Sequence, residues 1–247
     1  MCQSTPTFFP MLSGRGRGGQ RGYTLMELLV AITIGFILFA WITDYMTRAL
    51  GDHTTTLQRS LLNQEIKTTL AMVEREVRRS GSWAGAASAV HNGFINPFTQ
   101  SPNGLQVGNL TGEVANSCII FSYDLNANGL LDTASPDERY GFRLNQGMVE
   151  MRQSGSSLDC QSGEWLALTT PAVVVDSLQF NLSNSLCLNY TQSGTDCVAA
   201  PPINNDVLLR NHRLEITLTG HLRQKAVLTQ SDGLFLMVRN VVVERVP

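Results

Sequence analysis

Residues 23–42 read YTLMELLVAITIGFILFAWI, twenty residues with one charge, Glu27. At about 1.5 Å per residue, a helix of that length crosses the ~30 Å hydrocarbon core of a bilayer, so the run predicts a membrane-spanning helix. Arg15, Arg17 and Arg21 precede it, Asp44 follows it, and residues 1–22 contain no Asp or Glu. The positive-inside rule then keeps the N-terminus cytoplasmic and sends the remainder outward. A secretory signal would carry a shorter apolar stretch, about 7–15 residues, ending in small residues. Here the run ends in Trp41-Ile42-Thr43-Asp44, so cleavage behind the helix is not expected.

Glu27 is the anomaly. A carboxylate in the first turns of a membrane helix costs a few kcal/mol and normally marks function, so something is expected to pair with it. The segment from Gly22 through Tyr23-Thr24-Leu25-Met26 to Glu27, and on to Leu28-Leu29-Val30, resembles the processing motif of type IV prepilins and type II secretion pseudopilins. The resemblance implies that a prepilin peptidase cuts after Gly22, that Tyr23 becomes the N-methylated first residue of the mature chain, and that Glu27, the fifth mature residue, neutralises the terminal amine of a neighbouring subunit. Two departures stand out. Tyr23 replaces the commoner Phe, and a 22-residue leader is long, though a start at Met11 would shorten it. A plain signal anchor with an incidental Glu27 is the alternative.

Beyond the membrane run, Leu57, Leu61, Leu62, Ile66, Leu70, Val73 and Val77 recur at three- to five-residue steps among polar residues, which predicts that the helix continues as an amphipathic one. No proline interrupts residues 11–96, and Arg75, Arg78 and Arg79 gather before Gly81, so the helix is expected to run over 23–80, roughly 85 Å. Gly51 is the place for a slight bend. An anchor joined to a separate helix through Thr54-Thr55-Thr56 is the alternative.

After Gly81 comes a Gly-, Ser-, Asn- and Pro-rich stretch that reads as a long structured loop. Strand-like runs come next at 117–123, 139–144, 148–153, 172–182, 213–222, 224–229 and 234–244, with hairpin corners expected at Asn145-Gln146-Gly147 and Gly220-His221. The expected fold class is α+β: a long N-terminal helix, half membrane-spanning and half amphipathic, packed on an antiparallel sheet. The domain reading is a leader over 1–22, the helix over 23–80 and a β-rich head over 81–247.

Of the five cysteines, Cys2 falls in the leader and Cys118, Cys160, Cys187 and Cys197 in the head. None forms a CxxC pair and no histidine completes a zinc spacing, so disulfides in an exported domain are the better reading. The short interval between Cys187 and Cys197 favours a local bridge and leaves Cys118 with Cys160, although four cysteines permit three connectivities.

With its helix-then-sheet order, the chain resembles a pilin. The stretches Cys118-Ile119-Ile120-Phe121-Ser122-Tyr123-Asp124, Tyr140-Gly141-Phe142-Arg143-Leu144 and Val238-Arg239-Asn240 are similar to the larger minor pilins of the PilW kind. Glu74-Arg75-Glu76 resembles a stretch in the J class of secretion pseudopilins, the main competitor. The PilW resemblance implies a structural subunit that primes or caps a type IV pilus for adhesion, motility or DNA uptake. Its implied partners are other minor and major pilins, the prepilin peptidase and an inner-membrane assembly platform. Its implied location is the inner membrane with a periplasmic head, then the pilus tip.

Asp124, Asn126, Asn128 and Asp132 place oxygen ligands at alternate positions, with Gly129 sixth, as a calcium loop requires. Ser135 stands where an EF-hand has its bidentate Glu, so Asp137 or Glu138 would have to substitute. An Asx-rich hairpin turn accounts for the same residues without metal and is the preferred reading. The alternative makes the head a calcium-dependent adhesin.

A formal net charge of -2 and 15% charged residues argue against a nucleic-acid binder. The Arg15-Gly-Arg17 segment has no strand before it, so a basic leader explains it better than a phosphate loop. No nucleophile elbow, HExxH pair, Walker loop or SxxK pattern occurs, and the four histidines are scattered. No enzymatic activity is expected.

Overall fold

The computed structural model describes residues 22–87 and 95–246; Cys2, Met11 and the leader arginines lie outside the described residues. The chain divides after Thr54 into two units. Helix α1 (Leu25–Val77) begins in the first and ends in the second, a single 53-residue element without a break at Thr54-Thr55-Thr56.

In the first unit, α1 carries the apolar run on all sides. Leu28, Ile32, Phe36, Phe39 and Trp41 are all exposed, and none of the most apolar 18-residue window is buried. A helix apolar all round has no solvated face and must be covered by lipid or by other helices. Its threonines satisfy their hydroxyls on the helix backbone, as Thr43 does on the carbonyls of Phe39 and Ala40.

In the second unit, α1 becomes amphipathic. Leu62, Ile66, Leu70, Val73 and Val77 step by four, four, three and four residues along one face and are buried. That face enters one core with strands of two sheets. The first sheet is a five-stranded antiparallel meander, β1 (Gln106–Gly108), β2 (Cys118–Ser122), β3 (Arg139–Asn145), β4 (Met148–Ser154) and β5 (Glu164–Ala167). It contributes Ile119, Phe121, Phe142, Leu144 and Val149. The second is three-stranded, in the order β11-β10-β6, from β6 (Val173–Asn181), β10 (Arg213–Leu222) and β11 (Lys225–Met237). It contributes Val175, Leu178, Phe180, Leu214, Ile216 and Leu218. Each such aliphatic or aromatic side chain contributes about 1.5–3 kcal/mol when fully buried. The α+β order expected from the sequence is the order observed.

A third sheet, β12-β9-β7-β8, lies outside that core and joins β7 (Leu186–Asn189), β8 (Thr195–Asp196), β9 (Val207–Asn211) and β12 (Val242–Arg245). The expected strands from 117–123 to 172–182, and the one at 213–222, keep their positions to within a residue. The expected break between 229 and 234 does not exist: β11 runs through it, because Gly233 faces Thr217 and a side chain there would meet the Ile216 carbonyl at 3.1 Å. Gly220-His221 is not a corner either. It lies inside β10 at an irregular register step, where a Cβ on Gly220 would stand 2.8 Å from the Val174 carbonyl, and the chain turns after Leu222 instead. The corner at Asn145-Gln146-Gly147 is real, with positive φ at Gln146 (48°) and Gly147 (77°), as a tight hairpin turn needs.

Helix α1 ends at Val77, three residues short of the expected limit, because the head captures the next stretch of backbone. The Gly81 N–H bonds to the Ser122 carbonyl (2.8 Å) and Asn240 Nδ2 to the Ser80 carbonyl (2.8 Å).

Candidate functional site

The sequence nominates three groups of residues: Gly22, Tyr23 and Glu27 at the helix start; the Asp124 loop; and the four head cysteines. Gly22 and Tyr23 precede the first turn of α1, outside any regular element, and Tyr23 is 86% exposed. Thr24 caps the helix, its Oγ1 accepting the Glu27 N–H at 3.2 Å while its carbonyl accepts the Leu28 N–H. Thr24 and Glu27 thus stand at the two positions of a capping box. Glu27 lies three residues into a helix end that favours negative charge, which offsets part of the cost of placing a carboxylate in an apolar run. The Gly22–Tyr23 bond thus lies in exposed chain next to a capped helix. The Glu27 carboxylate has apolar neighbours in sequence and no cation paired to it among the described residues.

The Asp124 loop is held together by hydrogen bonds among its own side chains and backbone. Asp124 Oδ2 accepts the N–H groups of Ala84 and Gly129 (3.0 Å each) and its Oδ1 that of Asn128 (3.2 Å). The side-chain amides of Asn126 and Asn128 donate to Asp132 Oδ2 at 2.8 and 2.9 Å. Glu138, fully buried, closes the loop by accepting the N–H of Leu125 (2.7 Å) and of Asp132 (3.0 Å). Trp83 Nε1 donates to the Gly129 carbonyl (2.9 Å), tying the loop to the segment after α1. Asp137 is committed elsewhere: it pairs with Arg139 (2.9 Å) and Arg152 (3.1 Å). Among the described residues no three His, Cys, Asp or Glu side chains gather as a metal site.

Cys118 is joined to Cys160 and Cys187 to Cys197, with Cα–Cα distances of 6.2 and 5.5 Å. Behind the first bridge, Arg143 donates to the Cys160 carbonyl (2.9 Å), pairs with Glu150 (2.8 Å) and stacks on Trp165 (4.2 Å). Beside the second, Asp206 accepts from the Ile203 N–H (3.0 Å) and from Asn189 (2.6 Å) and Gln192 (3.1 Å). Those bonds, the Ile203 N–H foremost, hold its carboxyl below the usual range.

Sequence reasoning missed the clamp at the end of α1. Glu76 is buried and accepts from the Tyr123 hydroxyl (2.8 Å) and from Arg75 (2.9 Å). Arg79 lies over the Tyr123 ring at 4.1 Å, and Tyr140 stacks on the same ring at 4.1 Å. Burial, above all, raises the Tyr123 phenol well above its ordinary value, so it stays a hydrogen-bond donor. Within the Glu74-Arg75-Glu76 stretch, Glu76 fastens the helix to the head through Tyr123, while Glu74 pairs locally with Arg78 (2.6 Å). Its presence does not by itself separate a secretion subunit from a pilus subunit.

Two family models match the chain. The prokaryotic N-terminal methylation motif covers residues 17–43, which include Gly22, Tyr23 and Glu27. Prepilin peptidase-dependent protein B covers residues 55–233, most of the chain and nearly all of its second unit. The chain belongs to the prepilin peptidase-dependent protein B family. It is a pilin-like protein, with an apolar N-terminal helix of membrane-spanning length and a β-rich head held by two disulfides. No curated protein and no solved structure matches it. The residues that carry the methylation motif and those that build the head belong to separate units of the chain.

Proposed function

We propose that the protein is a minor pilin, a non-catalytic subunit that primes or caps a type IV pilus. The observation that carries this reading is the exposed apolar stretch of α1, with Glu27 as its single charge, attached to a large, disulfide-stapled head. A prepilin peptidase removes the leader after Gly22, and Tyr23 is then methylated. The freed helix leaves the bilayer for a bundle of like helices, trading lipid contacts for side-chain packing. Glu27 answers the terminal amine of an adjacent subunit, so that two charges costly in lipid offset each other.

Disulfides form in an oxidising compartment, which supports a head on the outer side of the inner membrane. Other pilins and the inner-membrane assembly platform are the partners this reading requires.

The test is mass spectrometry of the protein from cells with and without their prepilin peptidase. A mature chain beginning at methylated Tyr23 only where the peptidase is present is expected; a native chain still beginning upstream of Gly22 overturns the reading. Deleting the gene and scoring surface pili against protein secretion separates a pilus subunit from a secretion pseudopilin.

A further inference from the structure

The three-stranded sheet ends on β11, whose outer edge has no neighbouring strand among the described residues. The Val238 N–H donates to the His212 carbonyl at 2.9 Å, which sets the alternation along the β10–β11 ladder. Even-numbered residues of β11 bond to β10, and the N–H and C=O groups of Thr229, Ser231, Gly233, Phe235 and Met237 point away from it. Two of these groups are stopped by the strand's own side chains. The Ser231 carbonyl accepts from Gln230 Nε2 (3.2 Å), and the Gly233 N–H donates to Asp232 Oδ1 (2.8 Å). Both bonds are exposed and local, so an incoming strand replaces them with ladder bonds at small cost.

A long edge is normally blunted by proline, a bulge or charged side chains, or covered by a helix. From Thr229 to Met237, β11 has no proline, bulge or lysine, its one charge is Asp232, and its register with β10 is unbroken from His221↔Thr229 to Arg213↔Met237. Phe235, at its far end, is 72% exposed. Alongside the edge runs a face of α1 that belongs to the same unit. Arg59, Ser60, Asn63 and Lys67 look across an open groove of about 620 Å³ at Gln230, Ser231 and Asp232. Neither Arg59 nor Lys67 is ion-paired among the described residues, and the one carboxylate on the groove, Asp232, is bonded to the Gly233 N–H instead. The groove therefore offers a row of backbone donors and acceptors beside two unanswered cations.

We propose that this groove takes up an extended acidic strand from the head of a neighbouring pilin-family subunit. The strand adds to the edge of β11 and sets its carboxylates against Arg59 and Lys67. Main-chain bonds supply affinity, and charge selects the partner. The proposal rests on the minor-pilin role.

The test uses the full chain in the cells that assemble it, with a photo-crosslinking residue at Ser231 and, as control, at Val198, which is 90% exposed beside another sheet. The expected product at Ser231, and not at Val198, is a crosslink to a pilin-family head within a peptide that forms a strand and contains Asp or Glu. The double variant Arg59→Glu, Lys67→Glu lowers its yield at least tenfold, whereas Arg59→Lys retains it, with both disulfides and the mature N-terminus checked in each. If the chain enters the assembly but Ser231 captures no neighbouring head, captures only a helix, or is indifferent to charge reversal, the docking proposal falls and the assembly role stands. If the chain is in no assembly, both fall.

Discussion

The role proposed for Glu27 rests on its charge, which can be removed without changing the side chain's size. Its N–H is capped by Thr24 Oγ1 and its charge lies near the helix N-terminus, while the proposed assembly role asks that charge to meet a partner's amine. Glu27→Gln keeps the side chain's size and hydrogen-bonding while removing the charge. This variant is expected to be processed at Gly22 normally and to enter filaments at least tenfold less, read by quantifying the protein in sheared pili against the membrane fraction. Entry equal to that of the native chain would remove the charge from the mechanism. Asp137 makes the opposite case, a charge whose role is wholly structural. It stands between Arg139 and Arg152, all three side chains being nearly inaccessible. Removing it leaves two buried guanidinium groups uncompensated, so Asp137→Ala is expected to destabilise the head by about 3–5 kcal/mol in chemical denaturation. Nothing in the spacing of Asp137, Arg139 and Arg152 announced this, since the three meet only when β3 and β4 pair.

Among the elements, the two loops bounded by acids are the most sensitive to conditions. Hydrogen bonds from the Ser157 hydroxyl first, and then the Ser162 N–H, hold the Asp159 carboxyl well below its usual range, and Asp206 is held down in the same sense. A carboxyl depressed in the folded state contributes stability that is present above its unfolded value and is lost as pH falls through the folded one. Thermal midpoints are therefore expected to fall below about pH 4, the ordinary carboxylate value, and Asp206→Asn is expected to flatten that dependence. For the Asp124 loop, whose carboxylates already accept backbone N–H groups, calorimetric titration with calcium chloride is expected to give no binding heat. Saturable heat abolished by Asp124→Ala would reinstate the calcium reading.

For the molecule as a whole, the disulfides limit the unfolded chain most. In the chain-entropy account, the bridge spanning 42 residues contributes about 4 kcal/mol and the one spanning 10 about 3 kcal/mol. Reduction is expected to lower the stability of the head accordingly, with Cys118→Ser, Cys160→Ser costing more than Cys187→Ser, Cys197→Ser in denaturant midpoints. The first bridge also sits inside a packed cluster with Ile120, Leu158 and Trp165, so its loss exposes apolar surface as well. On the proposed role, the head is oxidised on the outer side of the inner membrane while the helix stays in the bilayer until assembly, so the two parts mature in different surroundings.

Patterns among near neighbours were legible before any fold was known. The twenty-residue apolar run, the Gly22 to Glu27 motif and the three- and four-residue steps of Leu62, Ile66, Leu70, Val73 and Val77 are local, and each states its helix, its membrane or its buried face on its own. Folding had to settle whatever joins residues distant in the chain. The sheet of β7, β8, β9 and β12 is built from runs too short and mixed to declare themselves, and β11 passes through Asp232-Gly233 because β10 pairs with it there. Glu76 turns from a helix charge into a clamp only when Tyr123 arrives, 47 residues on. Pairings of that kind are set by loop closure and core burial, which no short window of sequence contains.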